Sequence, residues 1–163
     1  MAEKHHSIRG GLRYSGAVTV VAKNRRARFD YDILETIEAG IVLTGGEVKS
    51  CRAHGVNLAG AYVSFVGGKA ALKQASIAPY RYARAEDAGD PKRERALLLS
   101  KSQMERLQSF AAEKGVTIIP LEVVAKKFVK VLLGVARGRK RFDKRSAIRE
   151  REMGRKLREG REV

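Results

Sequence analysis

His5, His6 and His54 are the only imidazoles in this 163-residue chain, and Cys51 is its only thiol. A single cysteine cannot supply a Cys/His zinc cluster. Gly45-Gly46 lacks the Lys-Ser/Thr that completes a phosphate-cradling loop. Cys51 falls in the middle of a helical stretch and reads as a small buried hydrophobe rather than a nucleophile. Asp30 and Asp32 form a carboxylate pair, but alternating polar positions on a strand describe a solvated face. The residue types point to no catalysis, no metal and no cofactor.

The basic groups are richer. Asn24-Arg25-Arg26-Ala27-Arg28 places three guanidinium groups just ahead of a long strand. Arginine grips phosphate through its two-pronged fork and stacks on bases, although the same residues would also guard a strand edge. Lys126-Lys127, Lys130, Arg137 and Arg139-Lys140-Arg141 form a second set. So many like charges in a short stretch repel one another without a counter-charge, which favours a polyanionic partner. Phe128, Tyr80 and Tyr82 are either stacking faces or simple fillers.

The whole chain agrees with this balance. It carries 34 Lys and Arg against 18 Asp and Glu, a net charge of +16. Such a field favours nucleic acid or an anionic membrane surface. From Arg137 to Val163 the excess is +7 in 27 residues, so the end of the chain is several times denser in charge than the body. No segment reaches the roughly 18 apolar residues of a membrane span. The start has no apolar block like that of a secretory signal, and the lone cysteine suits a reducing compartment. The expectation is a cytoplasmic protein.

These groups must be positioned by strands. Residues 1–16 lack periodicity and read as a flexible lead, and 17–21 as a short strand. Phe29, Tyr31, Ile33 and Ile37 alternate with polar residues, predicting a half-buried strand with a bulge at Gly40 and a continuation through Leu43. Thr44 and Glu47 have the spacing of a capping box for a short helix that Gly55 would end. The runs 61–66 and 69–77 around Gly67-Gly68 predict a tight hairpin. Residues 82–96 read as a long exposed loop. Ser100 and Gln103 cap a helix over 100–114, with Gly115 beyond it. Residues 117–124 and 128–136 are β-branched strands, and Pro120 marks the first as either an edge strand or a bulged one. Six strands without regular βα alternation argue for a mainly β fold with helices, an antiparallel sheet or small barrel. The body spans 17–137. The tail, 138–163, lacks a full apolar stripe, and its like-charged i,i+4 pairs Arg145/Arg149 and Arg151/Arg155 predict disorder when free and a helix against an anionic surface.

Several blocks occur in order: Asn24 to Arg28, Glu38-Ala-Gly-Ile-Val-Leu-Thr-Gly-Gly-Glu-Val-Lys-Ser50, Val56-Asn-Leu58, Gly134-Val-Ala-Arg-Gly-Arg-Lys140 and Asp143-Lys-Arg145. Together they resemble the small protein B family, the SsrA-binding partners of transfer-messenger RNA in bacterial ribosome rescue. The resemblance implies an oligonucleotide-binding-type antiparallel β-barrel with flanking helices. It implies binding to the tRNA-like part of that RNA, delivery with elongation factor Tu and GTP to a stalled ribosome, and a tail that enters the empty message channel near the decoding site. Carried over by position, Asn24, Arg25, Arg26, Arg28 and Glu38 belong to an RNA-facing body, with Glu47, Lys49 and Asn57 beside them. Glu47 has a competing task as a helix cap. Gly138, Asp143, Lys144 and Arg145 fall on the tail motif, and Phe142 stands where relatives often carry Tyr or His. The alternatives are a constitutive ribosomal protein and an RNA-modifying enzyme.

Overall fold

The two β-branched runs near the end of the chain build the centre of the molecule. In the computed structural model, which describes residues 18–158 and 160 and only the backbone of 141–143, they form β8 (Val116–Ala125) and β9 (Val129–Gly138). The expected lead over 1–16, with His5 and His6, lies outside the described residues. Before the ribbon come β1 (Thr19–Lys23), α1 (Ala27–Asp30), β2 (Tyr31–Ile41), α2 (Gly45–Arg52), β3 (Val56–Asn57), β4 (Tyr62–Val66), β5 (Lys69–Lys73), β6 (Ser76–Ile77), β7 (Arg95–Leu98) and α3 (Lys101–Ala111). After it comes α4 (Arg141–Arg158).

Among the described residues the main sheet has seven antiparallel strands in the order β1-β8-β9-β2-β7-β5-β4, with β3 and β6 forming a separate pair. The expected antiparallel sheet with flanking helices is present. Its hydrogen-bonded ladder stays open between β1 and β4, although β4 curls back against β8 and closes over the core.

Two bulges decide which side chains meet. In β8 the register shifts between Pro120 and Glu122. Before the shift Val116 and Ile118 face the main core; after it Val123 and Ala125 do. Ile119 and Leu121 face a second, smaller cluster with Ala27, Leu132 and Ala136. One extra residue flips the alternation, as a bulge must. Pro120 therefore marks a bulge, and β8 is an inner strand. The same happens in β2 between Ile33 and Glu35. Tyr31 and Ile33 go to the small cluster, Ile37 and Ala39 to the large one. The expected bulge at Gly40 is thus displaced towards the start of the strand. Gly40 itself sits in register between Leu98 and Lys130. Phe29 lies in α1, outside the strand, and β2 ends at Ile41.

Local signals hold elsewhere. Thr44 accepts from the Glu47 amide and the Glu47 side chain accepts from Thr44, a complete capping box; Ser100 and Gln103 repeat it on α3. Gly67 and Gly68 have φ of 58° and 71°, the left-handed pair that joins β4 to β5. Three expectations need correction. His54, with φ 62°, supplies the left-handed residue after α2, and Gly55 is needed because a Cβ there would lie 2.4 Å from Ser50 Oγ. The run 69–77 is broken at Gln74, also left-handed, so its second half pairs with β3 instead. Arg95 and Ala96 belong to β7 and not to an exposed loop.

Candidate nucleic-acid interface

The arginine turn is built by Asn24 and by the small cluster beneath it. The Asn24 amide nitrogen donates to the carbonyls of Pro120 (3.0 Å) and Leu58 (3.4 Å), its oxygen accepts from the Ala27 amide, and its backbone N–H donates to Leu121. Asn24 thereby staples the turn to the β8 bulge. Ala27 is the one residue of the turn that points inward, 3% exposed. Arg25, Arg26 and Arg28 are left outside. Arg25 and Arg28 make no ion pair among the described residues. Arg26 pairs with Asp30 at 3.4 Å. A groove of about 560 Å³ runs beside the turn, lined by Asn24, Arg26, Asp30, Tyr31, Gly60 and Thr117 among others.

The tail starts at the same place. Arg139 donates from its backbone to the Asp30 carbonyl and from its guanidinium to Asp32 at 2.8 Å. Lys144 reaches Asp30 at 3.3 Å, and the Arg151 guanidinium lies 5.6 Å from the Phe29 ring centre. Gly138 is exposed and stands opposite Tyr31. Lys140 and Arg145 are exposed, and Arg137 pairs with Glu113 at 3.5 Å. Phe142 and Asp143 fall in the first turn of α4, and their side chains are outside the description. Asp30 and Asp32, which the sequence suggests are merely solvated, organise this corner.

The lysine set lies at the far end of the ribbon. Ten residues of β9 separate the two ends, about 30 Å at the usual rise per residue. There the Arg52 guanidinium donates to the carbonyls of Lys126 and Lys127, clamping α2 to the β8–β9 turn. Lys126 pairs with Glu38 at 3.1 Å, which gives that isolated carboxylate a partner. Lys127 sits over Phe128, which is 66% exposed, and Lys130 is half-buried on β9. One turn before Arg52 on α2, Lys49 lies 5.4 Å from the Tyr80 ring centre. Asn57 is exposed, its oxygen accepts from the Ala59 amide, and it adjoins Leu58, whose carbonyl Asn24 holds, so it belongs beside the arginine turn. The interface residues read from sequence therefore occupy two separate patches.

Glu47 belongs to neither. One of its oxygens accepts from Arg93 and the other from Arg95. Arg95 is 1% exposed and also donates to the carbonyls of Ala75, Pro91 and Arg93. Burial opposes ionisation of Glu47, but donors from Arg93, Arg95 and the Thr44 backbone outweigh it and hold the carboxyl below its ordinary value of 4.5. Arg52 and Arg95 are absent from the sequence-derived set. Arg52 had a signal, one helical turn from Lys49; Arg95 is hidden in a charged run. Burial, and then the nearby Glu47 charge, push the Cys51 thiol up to about 11, which fits a packing role. Among the described residues no group of three or more His, Cys, Asp or Glu could hold a metal, and no helix is long and apolar enough to cross a membrane.

Comparison with known proteins shows the family. The SsrA-binding protein of Chlamydia muridarum (strain MoPn / Nigg) is 49% identical over 142 residues, 86% of this chain and 93% of that one. The SsrA-binding protein of Lactobacillus acidophilus is 46% identical over 140 residues, 85% and 92% of the two chains. A chain of the solved assembly described as "tmRNA-SmpB: a journey to the center of the bacterial ribosome" is 44% identical and superposes with a TM-score of 0.65, covering 78% of this chain and 94% of that one. The family model for SmpB protein matches residues 21–162, from β1 through the arginine turn and both patches into the tail, and the chain belongs to that family.

Proposed function

We propose that this protein binds transfer-messenger RNA through its tRNA-like part and is required for its delivery to stalled ribosomes in trans-translation. It acts by binding, in the cytoplasm, with no catalytic group or cofactor of its own, and travels with elongation factor Tu and GTP. The observation that carries the reading is the family match over 21–162, which takes in the arginine turn and the tail together. The physical arrangement supports it. Arg25, Arg26 and Arg28 project from a turn stapled by Asn24, with Asn57 beside it next to the Asn24-bonded Leu58, and Lys126, Lys127 and Lys130 crown the other end with Lys49 and Glu38 nearby. Arg137, Arg139 and Lys140 extend the first patch.

Gly138, Phe142, Asp143, Lys144 and Arg145 form the ribosome-facing part of the tail. Free tail residues repel one another, and ribosomal RNA in the decoding site and message channel removes that repulsion. The helix Arg141–Arg158 is the state we assign to the tail on the ribosome.

Sequencing the RNA that co-purifies with the protein tests this reading. A single dominant tRNA-like species is expected. A spread that follows ribosomal RNA abundance, with the protein staying on ribosomes in high salt, would instead identify a constitutive ribosomal component.

A further inference from the structure

Beside the lysine patch, and sharing Lys49 with it, one surface feature has the composition of a ligand site. Tyr82 is 77% exposed, an unusual position for a large ring in a chain with five tyrosines and no tryptophan. Its ring lies 5.6 Å from that of Tyr80, nearly edge-on at 69°. Both rings carry a cation: Arg81 over Tyr82 at 5.8 Å and Lys49 over Tyr80 at 5.4 Å. These distances are within the range of cation–π attraction.

The segment bearing the rings is tied down at several points. Ala83 N–H donates to the Tyr80 carbonyl and closes a turn that sets the two tyrosines side by side. At the far end the Pro91 carbonyl accepts from the Ile77 backbone and from the buried Arg95. Arg95 also holds the Arg93 carbonyl. The Tyr80–Ala83 turn therefore sets the spacing of the rings, which limits the ordering entropy lost when something stacks on them.

We infer that Tyr80 and Tyr82, with Lys49 and Arg81, form a stacking site for an unpaired base of a bound RNA. Every base has a π-face that the open side of an exposed ring can take, and the two cations beside the rings add positive charge that attracts the RNA backbone. The inference rests on the RNA-binding reading and adds a place where single-stranded rather than duplex RNA is preferred.

Affinity measured by fluorescence anisotropy tests it, with two labelled RNAs: a hairpin with an unpaired purine loop and a fully paired duplex of equal length. Tyr82→Ala is expected to weaken the hairpin by about 5- to 150-fold, the worth of one stacked base. It should leave duplex binding and the salt slope unchanged, and Tyr82→Phe should bind like the wild type. Arg25→Ala with Arg26→Ala should weaken both RNAs and flatten the salt dependence. Equal hairpin affinity for Tyr82→Ala and wild type overturns the site, as does a wild type with no preference for the hairpin. If Tyr82→Ala leaves both RNAs alone but releases a co-purifying protein, the patch is a protein contact and the inference also falls. The broader reading fails separately, when no tRNA-like RNA co-purifies with the wild type.

Discussion

At the scale of single residues, Glu47 shows how one carboxylate can serve several masters. It caps α2, pairs with Arg93 and neutralises Arg95, which is buried and would otherwise be a bare charge. Removing one partner of such a pair leaves the other uncompensated, so Glu47→Gln should lower stability near pH 7 by about 3 kcal/mol. The sign with pH follows from the depressed carboxyl. Its contribution is complete above the ordinary value of 4.5 and is lost as pH falls through the lower folded value. Urea unfolding should therefore show the gap between variant and wild type closing in acid, where the wild-type carboxylate itself takes up a proton. A gap that stays constant down to about pH 3 would show that size and hydrogen bonding, not charge, hold Arg95.

At the scale of elements, the bulges are what let the ribbon serve two cores. Gly134 on β9 faces the β8 bulge, where a Cβ would come within 2.8 Å of Leu121 Cδ1. Gly134→Ala should destabilise by about 1–3 kcal/mol through overpacking. In a Leu121→Ala background the same change should cost little, because the two sites are in contact. Thermal unfolding of the four proteins would show it; equal losses in both backgrounds would mean that backbone freedom, not space, requires the glycine. The elements themselves were largely legible. Capping boxes and a Gly-Gly hairpin are local codes, written within four residues, and they hold here. Bulges are written across strands. The run Phe29, Tyr31, Ile33, Ile37 looks like one face only until β9 pairs with it. Arg95 is invisible for the same reason, since the carbonyls and carboxylate that make its burial tolerable come from three separate segments. At the interface, residue types drew attention to the arginines and lysines but gave no hint that the ribbon holds them in separate patches.

At the scale of the whole molecule, the body and the tail divide the work we assign to the protein. Removing residues 138–163 should spare RNA binding in a gel-shift assay and abolish tagging of stalled chains in reconstituted translation. The body keeps Arg25, Arg26, Arg28 and the lysine patch without the tail. A truncated protein that still supports tagging would sink the division, and one that no longer binds RNA would move the principal RNA contact into the tail.

The strand order has a consequence for how the protein is made. β2 lies along β9 for most of its length, and β1 lies along β8. Both early strands must wait for partners roughly a hundred residues later in the chain. Non-local pairing of this kind is slow and leaves strand edges open meanwhile. Synthesis that stops short of β8 yields a chain with β1 unpaired, β2 held only at its end by β7, and its core unmade. An interrupted message for this protein therefore gives no smaller folded version of it, only a fragment that must be destroyed.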